Sequence, residues 1–361
     1  MLNRTPLYET HVSLNGKIVP FAGWEMPLQF QSILAEARAV RSSAGLFDVS
    51  HMGRIWVRGR QAAALLDWIT TANVPALAMD VARYTLICTE AGGILDDGII
   101  YRLGQQEYLL ICNASNRKAV WDWLSRWHES RFRSATLDDR TAEVAMIAYQ
   151  GPRAAEVMGR LSPGLAEKLR TYRCAQAQVA GISALVGRTG YTGEDGFEFM
   201  PSSKDSPALW QCLLETGAVP CGLGARDVLR LEAGMLLHGT DMDKTTNPFE
   251  AGLDRFVFMD KESVCSEALK QVLRTGLKHK LIGFEMVERG VPRHGYAIVR
   301  DGTSLGHVTS GGYSPTLDRY IGMGYVALDV ATPGSTFQVD VRGKTVEAKT
   351  VALPFYSRRR N

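Results

Sequence analysis

Cysteine is scarce in this chain, with six in 361 residues. Cys88, Cys112, Cys174, Cys212, Cys221 and Cys265 show no paired short spacing and mostly sit in apolar runs. That excludes a disulfide framework and fits small core residues in a reducing compartment. No CxxC, HxxxH or HxE pattern occurs among the cysteines and the seven histidines, so no metal site is expected. Long apolar runs are missing as well: none approaches the roughly 18 residues of a membrane span. The N-terminus, MLNRTPLYETH, has neither the apolar core of a signal peptide nor the character of a transit peptide, so a cytoplasmic protein without a membrane partner is expected. Charge of one sign is lacking too. A net charge of +3, spread along the chain, gives no support for nucleic-acid binding. The one basic run, Ser357-Arg358-Arg359-Arg360, reads as a solvated terminus, with anion binding as the alternative.

Two catalytic signatures are absent in an informative way. Asp, Ser and His stand close together in Phe47-Asp48-Val49-Ser50-His51-Met52-Gly53, but the spacing fits no triad and no GxSxG elbow exists, so a turn leading into a strand explains them. Gly222-Leu223-Gly224 precedes a helix without the third glycine of a dinucleotide fingerprint, which rejects a Rossmann fold.

What is present is the composition of a globular protein, 45% hydrophobic and 22% charged, long enough for two or three domains. Helical periods run from Ser32 to Ser43, Gln61 to Thr71, Ala119 to Trp127, Pro152 to Leu161, Pro207 to Glu215 and Ala225 to Leu237. Strand-like runs alternate with them at Gly53 to Arg58, Tyr84 to Tyr101, Glu107 to Asn113, Val144 to Gln150, Ile182 to Arg188 and Gly196 to Met200. Strict βα alternation is absent, so the class is α+β with mostly antiparallel sheets. From Lys280 to Phe355 only short alternating runs remain, punctuated by glycine and proline, as in a small β-barrel. The expected division is 1–275 and 276–361, with the boundary between Arg274 and Lys278.

The stretch YTLICTEAGGILDDGIIY, Tyr84 to Tyr101, places two aspartates in a hairpin that otherwise wants burial. Side chains alternate along a strand. Asp97 therefore shares a face with Leu95, Ile99 and Tyr101, and Asp96 shares the other with Ile94, Gly98 and Ile100. An inward carboxylate must find donors or shift its pKa, which makes it a ligand-binding or acid/base candidate; satisfaction by backbone amides is the alternative. Glu198, in RTGYTGEDGFEF, points opposite Phe197 and Phe199. It is either a solvent-facing strand residue or a carboxylate able to take two parallel hydrogen bonds from an amidine-like ring edge. Tyr191 in the same loop could stack on a flat ring. In ARDVLRLEAGMLL, Arg226 lies in the first helical turn, where a cation opposes the macrodipole and a bound anion would reconcile it. A salt bridge with Asp227 suffices for Arg230. Asn113 and Asn116 follow a strand and open a helix, which Asn113 or Ser115 could cap.

Seven ordered blocks then resemble one family. They are PFAGWEMP (Pro20 to Pro27), AGLFDVSHMG (Ala44 to Gly53), GGILDD (Gly92 to Asp97), RTGYTGEDGFE (Arg188 to Glu198), GLGARDVLRLEAGMLLHGTDMD (Gly222 to Asp243), NPFEAGL (Asn247 to Leu253) and ERGVPRHGY (Glu288 to Tyr296). Together they resemble the T-protein of the glycine cleavage system, a tetrahydrofolate-dependent aminomethyltransferase, over nearly the whole chain. The resemblance implies a three-subdomain cloverleaf around a central folate channel, ending in the barrel. It implies a partner, the lipoylated H-protein, whose S-aminomethyldihydrolipoyl arm donates a methylene to tetrahydrofolate with release of ammonia, giving 5,10-methylenetetrahydrofolate. By the same resemblance Asp97 would sit at the reacting folate nitrogens, with Asp96 a supporting residue on the opposite face. Met52, Tyr84 and Tyr101 would line the pterin and aminobenzoyl pocket, and Glu198 would clamp the aminopyrimidine edge. Arg226 would meet the ligand's polar or anionic end, with Tyr191 and Asn113 as further lining residues. The C-terminal arginines could approach folate or the H-protein.

Departures from the family pattern are Cys265-Ser266, where relatives read Gly-Lys, and Asp254-Arg255 after AGL; both are expected outside the pocket and at surface contacts. Alternatives are another folate-dependent demethylase or transferase on the same fold, or a non-catalytic folate-binding regulatory protein. The cysteine motif of the latter group, KGCYxGQE, is replaced here by MLLHGTDMD.

Overall fold

The computed structural model describes residues 1–358. The last two residues of the basic tail, Arg359 and Arg360, lie outside the described residues. Three lobes, each built on its own sheet, surround a shared cavity, with a short N-terminal sheet packed alongside.

The first lobe is a five-stranded antiparallel sheet in the order Ala82–Cys88, Ile94–Gly104, Glu107–Cys112, Gly53–Gly59, Ala135–Asp139. Helices Ala62–Ile69 and Arg117–Ser130 cover one face, because their apolar stripes (Leu65, Leu66, Ile69; Val120, Leu124) meet Ile55, Val57, Ile87 and Ile100. The second lobe is a six-stranded sheet, Cys174–Val179, Ile182–Gly187, Gly196–Pro201, Ile147–Gln150, Gly45–Asp48, Val219–Pro220, antiparallel except for its last pair. Phe197 and Phe199 face helices Ala154–Leu161 and Ser206–Leu214. A further cluster containing Phe47, Met146, Ala148 and Leu185 packs this sheet against Trp56, Tyr101 and Leu109 of the first. The third lobe is a closed six-stranded barrel, His279–Met286, Arg319–Ala327, Thr303–Ser314, Ala297–Arg300, Thr336–Val341, Lys344–Val351.

Most expected elements are present within a few residues. Ser32 caps the helix Ile33–Ser42 by accepting from the Ala35 amide at 3.2 Å, as its sequence position suggests. Two departures have clear causes. The helix expected to reach Leu237 is Leu223–Glu232, because Gly234 adopts φ +62° and the Asp241 carboxylate captures the Leu237 amide at 2.9 Å. The segment around Asp48, read as a turn, is the strand Gly45–Asp48. Its terminal carboxylate accepts from Thr5 Oγ1 at 2.6 Å, meets buried His11 Nε2 at 2.9 Å and accepts from the Ser50 amide at 2.8 Å, tying the N-terminal helix to the second lobe.

The lobes are joined by a buried ion pair. Arg230, on the last turn of Leu223–Glu232, donates to Asp241 at 2.6 Å, to Asp227 at 2.8 Å and to Ser310 of the barrel at 2.8 Å. Asp241 also accepts from barrel Thr309 at 2.5 Å. Arg230 thus forms its expected bridge to Asp227 and a more deeply buried one that the sequence spacing does not reveal.

Candidate active site

A cavity of about 1150 Å³ opens between the lobes. Met52, Tyr84, Asp97, Asn113, Tyr191, Glu198 and Arg226 all line it. Tyr101 does not.

The acidic wall comes from the hairpin. Asp97 is half-buried on the strand Ile94–Gly104 opposite Leu86, and Tyr84, one step along the partner strand, donates its hydroxyl to Asp97 Oδ2 at 2.9 Å. The adjacent strand ends at Cys112, opposite Gly98, so Asn113 is free to turn back on the aspartates. Its side-chain amide lies 2.8 Å from Asp97 Oδ1 and 2.8 Å from Asp96 Oδ1, and its backbone amide donates to Asp96 Oδ2 at 2.9 Å. Asn113 makes no capping bond to the helix that follows. Asn116 adds a third donor to Asp96 at 2.7 Å and donates to His238 Nδ1 at 2.7 Å, while His238 Nε2 lies 2.9 Å from the Ile94 carbonyl.

The two aspartates nonetheless meet at one partner. They do leave opposite faces of the strand, yet one asparagine holds both, because the neighbouring strand stops beside them. Asp96 is fully buried and no lysine or arginine pairs with either carboxylate among the described residues. Burial and the charge of Asp97 push the Asp96 carboxyl up, and burial pushes Asp97 up against the hydrogen bond from Tyr84.

Glu198 leaves its strand opposite the two core phenylalanines and enters the cavity wall, only 5% exposed. Burial raises its carboxyl; a hydrogen bond from Thr189 and the charge of Arg226 oppose this. Thr189 spends its only proton on Glu198 Oε2, so the Tyr101 hydroxyl must donate to Thr189 Oγ1, 2.9 Å away. Tyr101 is thus a buried support for Glu198 through Thr189. Parity gave it the right face, but the strand is long, and by Tyr101 it has passed beneath the second lobe. Gly187 permits this, since a Cβ there would lie 2.9 Å from the Tyr101 oxygen.

Arg226 crosses the Tyr191 ring at 4.6 Å from its centroid and has no hydrogen-bond or ion-pair partner among the described residues. Burial lowers its pKa, opposed by Tyr191 and Glu198. A desolvated guanidinium facing a cavity is a ready anion or carboxylate site. Tyr191 itself donates to the Leu236 carbonyl, which fixes its ring as a platform.

Sequence inspection did not single out His51, His238, Arg255 or Phe256 as lining residues, although all four face the cavity. Burial, reinforced by Arg226 and Arg54 against the Asp48 charge, lowers His51 to about 3, so its imidazole is neutral. His238 sits in an irregular loop where no period assigns a face. Arg255, expected outside the pocket, lies on its wall and stacks on Phe256 at 4.6 Å; Phe256 in turn meets Tyr84 edge-on, with centroids 4.6 Å apart. Cys265, expected at surface contacts, is buried in one core cluster with Cys88. Among the described residues no group of three or more His, Cys, Asp or Glu is placed to hold a metal ion, and no helix is long and apolar enough to cross a membrane.

Such a wall has hydrogen-bonding carboxylates, a stacked free guanidinium and aromatic platforms, set between two sheet lobes and a closed barrel. It defines a small-molecule-binding protein whose site suits a flat, polar ligand with an anionic end. Family comparison gives the particular group: residues 7–261 match the GCVT N-terminal domain and residues 279–357 the glycine cleavage T-protein C-terminal barrel domain. The chain belongs to the glycine cleavage T-protein family. It is 46% identical to an aminomethyltransferase of Geobacillus kaustophilus over 99% of this chain and 100% of that one, and 46% identical to one of Rubrobacter xylanophilus over 100% and 96%. A crystal structure of glycine cleavage system aminomethyltransferase T from Bartonella henselae superposes with a TM-score of 0.92 at 33% identity, covering 99% of this chain and 98% of that one.

Proposed function

We infer that this chain is a cytoplasmic aminomethyltransferase of the glycine cleavage system. It takes the methylene of the S-aminomethyldihydrolipoyl arm of an H-protein onto tetrahydrofolate, releasing ammonia and giving 5,10-methylenetetrahydrofolate. The carrying observation is that one cavity, lined by seven of the eight site residues marked out by the family motifs, belongs to a chain matched end to end by aminomethyltransferases. Its volume of about 1150 Å³ exceeds the usual range of roughly 300–1,000 Å³ for a single small-ligand site, which leaves room for two reactants.

The residues fit the folate. Glu198, held by Thr189 on one oxygen, keeps lone pairs for the N–H and exocyclic amine of the pterin's aminopyrimidine edge. Tyr191 and Tyr84 offer ring faces, and Arg226 supplies charge to the carboxylate end. Asp97 then stands at the methylene-accepting nitrogens. Its carboxylate stabilises the cationic carbon formed as ammonia departs, and Tyr84 and Asn113 hold it in place before the substrate arrives.

The test is ammonia release from aminomethylated H-protein. Release that requires tetrahydrofolate and is lost in Asp97→Asn supports the assignment; folate-independent release, or an unaffected variant, contradicts it. Dimethylated amine or sulfonium donors should transfer nothing, and transfer from them would favour a demethylase instead.

A further inference from the structure

The fully buried member of the aspartate pair, Asp96, does not line the cavity and yet collects more donors than half-buried Asp97. Asp96 accepts from the Asn113 backbone amide and from the side-chain amides of Asn113 and Asn116, at 2.9, 2.8 and 2.7 Å. All three are N–H groups, which cannot accept a proton from it. A protonated Asp96 would set its hydroxyl against donors, so these bonds favour the anion. Asp97 is placed differently: it has one N–H donor in Asn113, and its other partner, the Tyr84 hydroxyl, can turn to accept. When the ionised pair takes up a proton during the reaction, these hydrogen bonds favour Asp97 as the carboxylate that receives it.

Burial and the charge of Asp97 work the other way, pushing the Asp96 carboxyl up to about 7, and the three N–H donors oppose that push. The titratable groups facing the pair are Tyr84 on the neighbouring strand, Tyr191 on the glycine-rich loop, Cys112 on the strand Glu107–Cys112, and His238 on the loop beyond the helix Leu223–Glu232. The Asn116 side-chain amide meets His238 Nδ1 at 2.7 Å, and His238 Nε2 lies 2.9 Å from the Ile94 carbonyl. His238 thereby holds the Asn116 amide in the orientation that feeds Asp96.

We propose that Asp96 is a positioning residue for the transfer reaction: a fixed anion, held by Asn113, Asn116 and, through Asn116, His238, whose charge makes Asp97 basic enough to carry a proton between folate and the lipoyl sulfur. This rests on the placement of Asp97 at the folate nitrogens. The donor's amine reacts as the ammonium, so its C–N bond breaks with the electron pair leaving on neutral ammonia, and the lone pair of a folate N–H nitrogen forms the new C–N bond. That nitrogen's proton passes to Asp97. The C–S bond then breaks with its pair on sulfur, which takes the proton back from Asp97. Ring closure by the second folate nitrogen releases one further proton, which the departed ammonia accepts. An isolated surface carboxylate, with a pKa near 4, is a weak base for this role; a neighbouring anion strengthens it.

The experiment is the pH profile of kcat for H-protein-dependent methylene transfer in the full-length wild type, Asp96→Asn and Asn116→Ala. Removing the Asp96 charge should move the acid limb to lower pH by about one unit or more, the usual size of a like-charge effect at this range. Asn116→Ala should move it the same way by less, since a carboxylate with fewer donors surrenders its charge more readily; it also decides the matter if Asp96→Asn does not fold. Unshifted profiles, or a limb displaced upward, overturn the proposal. Asp97→Asn, run alongside, separates the two assignments. If it retains transfer activity, the role of Asp97 itself fails. If it is inactive while the other profiles stay unshifted, only the role of Asp96 fails.

Discussion

Glu198 owes its orientation to a single hydroxyl. Thr189 holds one carboxylate oxygen and is itself held by Tyr101, so two residues from two lobes fix one ligand-facing group. Two substitutions separate binding from support. Glu198→Gln cannot accept from both an N–H and an amine, and a lost charge-assisted bond of about 1.5–3 kcal/mol predicts a KM for tetrahydrofolate raised tenfold or more, with kcat changed less. Tyr101→Phe should cost about 1 kcal/mol of stability in denaturant unfolding and leave that KM within a few-fold of wild type. Strand alternation put Asp96 and Asp97 on opposite faces and Glu198 opposite the two phenylalanines, because parity is reliable within a regular ladder, and the family motifs then selected Asp97 and Glu198 for the cavity. It could not say how far along a strand the cavity extends, which is why Tyr101 was expected on its wall. Nor could it reveal His238 or Arg255, whose loops have no period.

At the scale of elements, the hairpin turn is what carries Asp97 to its place. Gly93 packs so closely on the loop after the helix Leu223–Glu232 that a Cβ would fall 1.8 Å from the Lys244 carbonyl, and the next residue, Ile94, donates its amide to Thr246 at 3.0 Å. Gly93→Ala must therefore push two backbones apart. Overpacking of this kind costs about 1–3 kcal/mol, and since the same loop holds His238, both unfolding midpoint and kcat should fall. The glycines were legible as turn residues, but the loop they dock against was not. In the second lobe, burial alone would raise the Asp48 carboxyl, and the bonds from His11, Thr5 and Ser50 outweigh it, holding Asp48 at about 2. A carboxyl depressed below its ordinary value near 4 stabilises the fold above that pH, and the stabilisation is lost as pH falls from about 4 through 2. The sign follows from the unfolded state binding the proton first. Asp48→Asn should therefore be less stable at pH 7 by about 2 kcal/mol, and the gap to wild type should close below pH 3 in urea titrations.

The whole molecule depends on a joint of buried charge between helix and barrel. Arg230 and Asp241 are 3% and 0% exposed at their side chains, with Ser310 and Thr309 of the barrel completing their bonds. Replacing Arg230 by Leu leaves Asp241 buried without its cation, a loss of about 3–5 kcal/mol by analogy with other broken buried pairs. The unfolding transition should shift accordingly. Alternating patterns were sufficient to read an α+β chain with mostly antiparallel sheets and a terminal barrel, since each pattern reflects a local face. The assembly of three lobes around one cavity was legible only through the seven family blocks, because contacts such as Arg230 with Ser310 link residues 80 apart in sequence. The most direct test of the central claim follows the carbon itself. H-protein loaded with a ¹³C-labelled aminomethyl group is mixed with tetrahydrofolate and the protein, and the label is followed by NMR. The label should appear as the methylene bridging the two folate nitrogens with wild type and not with Asp97→Asn. Label that stays on the lipoyl arm with wild type, or reaches folate equally with the variant, would contradict the account.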